Sequence, residues 1–113
     1  QFTVNSNYKP TVRFYCETEE SSTSFRSIKK IKNVELIRGY KGVSKQFSGS
    51  IYVKLEDANR IYYSVNGDYY NNGTTTYSGG VNIGVGKNSN VSFGVSNSSN
   101  WYAYRYVEGS IRF

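Results

Sequence analysis

The groups with which this chain could do chemistry are few. In 113 residues there are eight carboxylates, one thiol at Cys16 and no histidine. Without an imidazole, Ser-His-Asp and Cys-His catalysis, most zinc sites and histidine pH switching are excluded. The acids are Glu17, Glu19, Glu20, Glu35, Glu56, Asp57, Asp68 and Glu108. Two carboxylates could flank a glycosidic bond. No spacing singles out such a pair, and Glu19-Glu20 and Glu56-Asp57 fall where turns are expected. The stretches around Asp68 and Glu56-Asp57 lack a calcium-ligand pattern. Gly84-Val85-Gly86 follows an apolar run but opens no helix, so it is not a phosphate-cradling loop. Cys16 alternates with Val12 and Phe14 and reads as a small buried hydrophobe. A single cysteine forms no internal disulfide, which excludes a disulfide-built scaffold. The chemistry points to a protein that is not an enzyme and needs no metal or cofactor.

Two other groupings suit non-covalent binding. The first is charge. Between residues 26 and 45 stand seven basic residues (Arg26, Lys29, Lys30, Lys32, Arg38, Lys41, Lys45) and one acid, Glu35. This stretch carries the whole excess of +6, since the remainder balances seven against seven. Such an excess attracts anionic polymers, acidic glycans or an anionic membrane surface. Lysines also protect exposed sheet edges from pairing with other chains, a structural role that accounts for the stretch without any ligand. The second grouping is tyrosine, with 12 in the chain. Tyr102, Tyr104 and Tyr106 fall on one side of an expected last strand, and Tyr52 and Tyr62 on the polar sides of two others. Tyrosine rows stabilise cross-strand pairs, but they also stack on sugar rings and suit protein interfaces. Basic residues beside aromatics can also hold nucleic acid, but no RNP-like or cold-shock pattern is present, which weighs against it.

The elements that must position these groups are strands. Alanine and leucine are scarce and methionine is absent, while Gly, Ser, Asn, Thr, Tyr and Val dominate. Alternating patterns place strands at 2–5, 11–18, 29–38, 47–55 and 60–65, then at 68–70, 74–85, 90–98 and 101–113. Asn5-Ser6-Asn7, 39–46, 56–59 and 97–100 read as turns, and 19–24 as a polar loop. Asn66-Gly67 is expected to close a two-residue hairpin. The hardest stretch is 25–40: Phe25, Ile28 and Ile31 recur at helical spacing, then Val34 and Leu36 alternate. A strand with an irregularity near Asn33 fits best, with a short helical turn before it as the other reading. No apolar run is long enough for a membrane-spanning helix.

The expected fold is therefore all-β, an antiparallel β-sandwich or small barrel of about eight short strands, in a single domain over 1–113. A chain beginning at Gln1 reads as the processed part of an exported protein, placed outside the cell or on its surface. The expected function is a small binding module recognising an anionic or glycan-bearing surface ligand, or a protein. Its contacts would be Tyr102, Tyr104, Tyr106, Tyr52, Tyr62, Lys29, Lys30, Lys32 and Arg38. The alternative is a membrane-active toxin using an amphipathic hairpin at 77–95, whose polar face has only small side chains. Arg105 is the test of the tyrosine side. It shares the mostly apolar side of the last strand with Ala103 and Val107, so it must find a partner or reach solvent at an edge.

Overall fold

A computed structural model describes residues 1–20 and 26–113. The fold is all-β and antiparallel. Its strands are β1 (Thr11–Glu20), β2 (Arg26–Ile37), β3 (Gly39–Tyr40), β4 (Val43–Ser44), β5 (Gln46–Asp57), β6 (Arg60–Ser78), β7 (Ile83–Gly84) and β8 (Asn88–Arg112). Three of them, β5, β6 and β8, form a closed barrel; β1, β2 and β7 form a second sheet over it.

Closure follows from the lengths of β6 and β8, 19 and 25 residues. They pair along most of their length, from Arg60↔Arg112 to Ser78↔Ser92. The ribbon then bends, so that residues 88–93 of β8 return to the far edge of β5 while 60–70 of β6 hold its near edge. The bend is built from register shifts at Tyr69/Tyr70 and Asn72/Thr74, with Gly73 in a left-handed conformation (φ 132°). Extra residues of this kind kink a strand and increase its twist. Asn97 and Asn100, both at positive φ, make the matching bend in β8. The expected turn at 97–100 is thus a bend inside one continuous strand.

Asn66-Gly67 forms no hairpin either: β6 runs straight through it. Gly67 lies opposite Gly49 of β5, and a Cβ on Gly67 would sit 2.7 Å from the Phe47 ring and 2.9 Å from the Gly49 Cα. The glycine is there to let two backbones and a ring approach, not to turn the chain. The run 74–85 is not one strand. β6 stops at Ser78, while Val81 and Ile83 turn into the core and Ile83 pairs with Ile31 of β2. The amphipathic 77–95 hairpin does not form as expected, because Val81, Ile83 and Val91 are buried whereas Tyr77 and Val85 are exposed.

Segment 2–5 forms no strand. The N-terminal residues instead fold back through the Asn5–Tyr8 bridge, and the Asn5-Ser6-Asn7 turn is present. Tyr8 is buried and stacks edge-on against Tyr69 and Tyr102, with its hydroxyl donating to the Arg38 carbonyl at 2.6 Å. The Lys41-Gly42 turn joins β3 to β4 with both residues at positive φ, and Ala58-Asn59 joins β5 to β6. Glu19 and Glu20 extend β1; the rest of the expected 19–24 loop, and Phe25, lie outside the described residues.

The strand β2 explains the ambiguous spacing. Tyr15 pairs with Asn33 but Cys16 with Ile31, so Lys32 is an extra residue; Glu17 pairs with Lys30 but Thr18 with Ile28, so Lys29 is another. Each bulge adds one residue to the inward repeat. Ile28, Ile31 and Val34 are therefore all buried at a spacing of three, and the irregularity lies beside Asn33 as expected. These side chains meet Phe47, Ile51, Val53, Leu55, Ile61, Val65 and Tyr69 of the barrel in one core. Gly67→Ala is expected to destabilise the fold by about 1–3 kcal/mol through overpacking. Gly80→Ala, with open space around it, should stay within about 0.5 kcal/mol of the parent. Urea denaturation of both variants checks the contrast.

Candidate functional site

The outward side of the barrel wall built from β5, the first half of β6 and the second half of β8 is polar and aromatic. On β8 it presents Trp101, Tyr104, Tyr106 and Glu108; on β6, Tyr62, Ser64, Asn66 and Asp68; on β5, Tyr52. Alternation in the ladder puts them there, since their neighbours Val65, Tyr69, Ile51 and Val53 point into the core. Trp101, Tyr104 and Tyr106 are 58, 55 and 48% exposed, unusual for large aromatic side chains on one strand.

Each exposed ring is held by an acceptor. The Trp101 Nε1 donates to Asp68 Oδ1 at 3.0 Å, and the Tyr104 hydroxyl donates to Asn66 Oδ1. The hydroxyls of Tyr62 and Tyr106 both donate to Glu108 Oε2, at 2.5 and 3.3 Å. Tyr52 and Tyr62 pack edge-on with ring centroids 6.0 Å apart. Fixed side chains lose less rotamer freedom when a ligand settles on them. A carboxylate has about four acceptor sites, so Asp68 and Glu108 retain capacity for a ligand's hydroxyl groups. The carboxylates stand among the rings, while Lys54, Arg60 and Arg112 lie on the same side toward its other end. Glu108 favours the neutral phenol of Tyr62 and pushes its pKa up.

Of the expected tyrosines, Tyr104, Tyr106, Tyr62 and Tyr52 share this wall. Tyr102 leaves the row. Tyr69 pairs with Ala103 and Tyr70 with Trp101, so Tyr102 is the extra residue of a bulge. It packs on Tyr8, exchanges hydrogen bonds with Asn5 and lies under the Lys45 ammonium at 4.2 Å, where it helps to hold the N-terminal segment. Arg105 resolves as an edge residue: it is exposed and its Nε donates to the Thr3 carbonyl at 3.2 Å. The tyrosine side faces outward nonetheless, as the exposure of Tyr104 and Tyr106 and the burial of Val65 and Tyr69 behind them show. Trp101 alternates in the sequence with Ala103 and Arg105, on the side away from the tyrosines, and the bulge at Tyr102 brings it into the row. Asp68 and Asn66 were hidden by the false turn, although they continue the even alternation of Tyr62 and Ser64.

The basic stretch divides. Lys29, Lys30 and Lys32 are exposed on β2, which packs its other side on the barrel, so they lie on the opposite side of the molecule from the aromatic wall. Two of the three are bulge residues on a strand whose other edge meets only two residues of β7. Bulges and lysines both discourage further pairing beyond the short β7, which gives these residues a structural role. Arg38 does not join them. Its Nη1 donates to the Lys45 carbonyl at 3.1 Å and to Gln46 Oε1 at 2.7 Å, and Gln46 in turn accepts from Thr75. It stitches the strands where the ribbon bends. Cys16 is half-buried and burial pushes its thiol pKa up, away from the reactive thiolate. Among the described residues no cluster of three or more Cys, Asp or Glu could hold a metal ion.

The tyrosines offer a pH test. Burial pushes Tyr8 up to about 12 and raises Tyr69 as well, while Glu108 raises Tyr62. Folded-state values above the ordinary 10.0 mean stability that is intact below pH 10.0 and lost as pH rises through them. Phenolate absorbance should show three late-titrating tyrosines, and Glu108→Gln should return Tyr62 alone toward the ordinary value. Comparison with family models, with curated proteins and with solved structures finds no match to this chain.

Proposed function

We propose that the chain is a non-catalytic binding module, exported to the cell surface or beyond it. In this reading its ligand is a neutral glycan laid on the outer wall of the barrel. The observation that carries the reading is the exposed row of Trp101, Tyr104 and Tyr106, each hydrogen-bonded to an acceptor. Aromatic rings cover the apolar faces of sugars, and carboxylate and amide oxygens take their hydroxyl protons. Asp68 and Glu108 stand among the rings themselves, with Lys54, Arg60 and Arg112 at the far end of the same side, and this favours a neutral sugar on the rings. An anionic partner would instead use the lysine side, for which bulge protection already supplies a reason.

The only tryptophan lies within the proposed site, so its fluorescence reports binding directly. Titration with soluble neutral polysaccharides is expected to shift Trp101 emission to the blue and to protect it from acrylamide quenching. Tyr104→Ala should weaken binding by about 10-fold or more, the scale of one lost aromatic contact. Lys29, Lys30 and Lys32 changed together to Gln should leave it unaltered. No shift with any neutral glycan, together with dye release from liposomes, would replace this reading by the membrane-active one.

A further inference from the structure

The strand β1 is the outer strand of its sheet, and among the described residues no backbone group pairs with its free edge. Next to that edge is an apolar groove of about 390 Å³, lined chiefly by Val12, Phe14, Cys16, Ile61, Ile111 and Phe113. The groove separates β1 from the second half of β8. At one end the N-terminal residues fill the gap, with Phe2, Val4 and Tyr8 buried there; the end beside 11–18 stays open.

This edge lacks three of the devices that usually keep a strand from pairing, although four of its ten residues (Arg13, Glu17, Glu19 and Glu20) are charged. Over ten residues β1 has no lysine, no proline and no bulge, because both register shifts place the extra residue on β2. On β2, by contrast, the outer edge is in use: Lys30 and Ile31 pair with Gly84 and Ile83 of β7, and the Ile28 N–H donates to the Ala58 carbonyl. An open edge beside an apolar groove is the geometry for adding one more strand.

The sequence of β1 specifies which strand. Its outer side reads Arg13, Tyr15, Glu17, with Arg13 the only basic residue of the strand. An antiparallel second copy, related by a two-fold axis at Tyr15, puts Arg13 opposite Glu17 of that copy and Tyr15 opposite its own counterpart. On the inner side Phe14 meets Cys16 and Val12 meets Thr18, so the two grooves close toward each other. No like charges are opposed. A two-fold contact uses each favourable pair twice. We propose that two copies of this chain pair edge to edge through β1, antiparallel and centred on Tyr15, to form a continuous sheet across the dimer. The aromatic wall lies on the other sheet, so a dimer would carry two such walls.

Sedimentation equilibrium on the 113-residue chain should show a monomer–dimer equilibrium. Glu17→Arg is expected to raise the dimer dissociation constant by roughly 100-fold, since two attractive pairs become repulsive. Adding Arg13→Glu to it should restore dimerisation to within about 10-fold of the parent. For the register, Tyr15→Cys in a Cys16→Ser background should cross-link on mild oxidation, because directly opposed residues lie about 4.5–5.5 Å apart. The parent Cys16, opposite Phe14, should not. A chain that stays monomeric at every concentration, whether or not it captures a foreign extended peptide, overturns the proposal. So does a dimer indifferent to Glu17→Arg, or one cross-linked through Cys16 instead. Circular dichroism of each exposed-site variant establishes that it remains folded.

Discussion

Residue Gly49 sits between two strands at once. Gly67 of β6 is its neighbour on one edge of β5 and Phe93 of β8 on the other. A Cβ at Gly49 would fall inside the Asn66 carbonyl oxygen, and one at Gly67 would strike the Phe47 ring. The contact sets how tightly β5 can be held from both sides. Double pairing of β5 in turn obliges the β6–β8 ribbon to bend back, because the same two strands must reach both of its edges. Gly73, Asn97 and Asn100 supply that bend. Phe47 then covers the glycine backbone and stacks on Tyr69 and Phe93, so the ring repays the packing lost at Gly67.

That constraint also sets where the side chains of the candidate site lie. A ribbon that bends at 69–73 and 97–102 leaves 60–68 and 103–112 in regular alternation. Tyr62, Asn66, Asp68, Tyr104, Tyr106 and Glu108 consequently share one side, with the core on the other. The bulge at the bend drops Tyr102 inward against Tyr8 and brings Trp101 outward onto Asp68. One extra residue thus exchanges a tyrosine for the tryptophan in the exposed row.

How much of this was legible in the sequence differs by element. In β5 and the first half of β6, simple alternation of apolar and polar residues gave the right inward side, as Phe47, Ile51, Val53 and Leu55 show; in β8 it failed at Trp101 and Tyr102, where the bulge exchanges the two sides. The fold class followed from composition and alternation together. What was not legible was the role of particular glycines and asparagines. Asn66-Gly67 has the chemistry of a tight turn and also that of a close backbone crossing, and only the register with Gly49 distinguishes them. The same ambiguity affected Ile28, Ile31 and Val34, where two bulges imitate helical spacing. Period alone cannot separate a helix from a strand that gains a residue at each repeat. In the site, the tyrosines were visible but their acceptors were not, because Asn66 and Asp68 acquire that role only when β6 is continuous.

Closing one side of the molecule has a consequence for the other. The two longest strands are spent on the barrel, leaving β1 and β2 to cover it with only the two-residue β7 beyond them. One edge of so narrow a sheet, that of β2, is partly taken up, by β7 at Lys30 and Ile31 and by the Ala58 carbonyl at Ile28. The bulges at Lys29 and Lys32 put extra residues into β2 on its ladder with β1. The other edge, β1, is regular and carries Phe14 and Cys16 toward an apolar groove. Phe14 already packs on Tyr63 at 5.5 Å, so the strand is anchored through its inner side while its backbone edge stays free. The asymmetry leaves β1 as the edge with no backbone partner among the described residues.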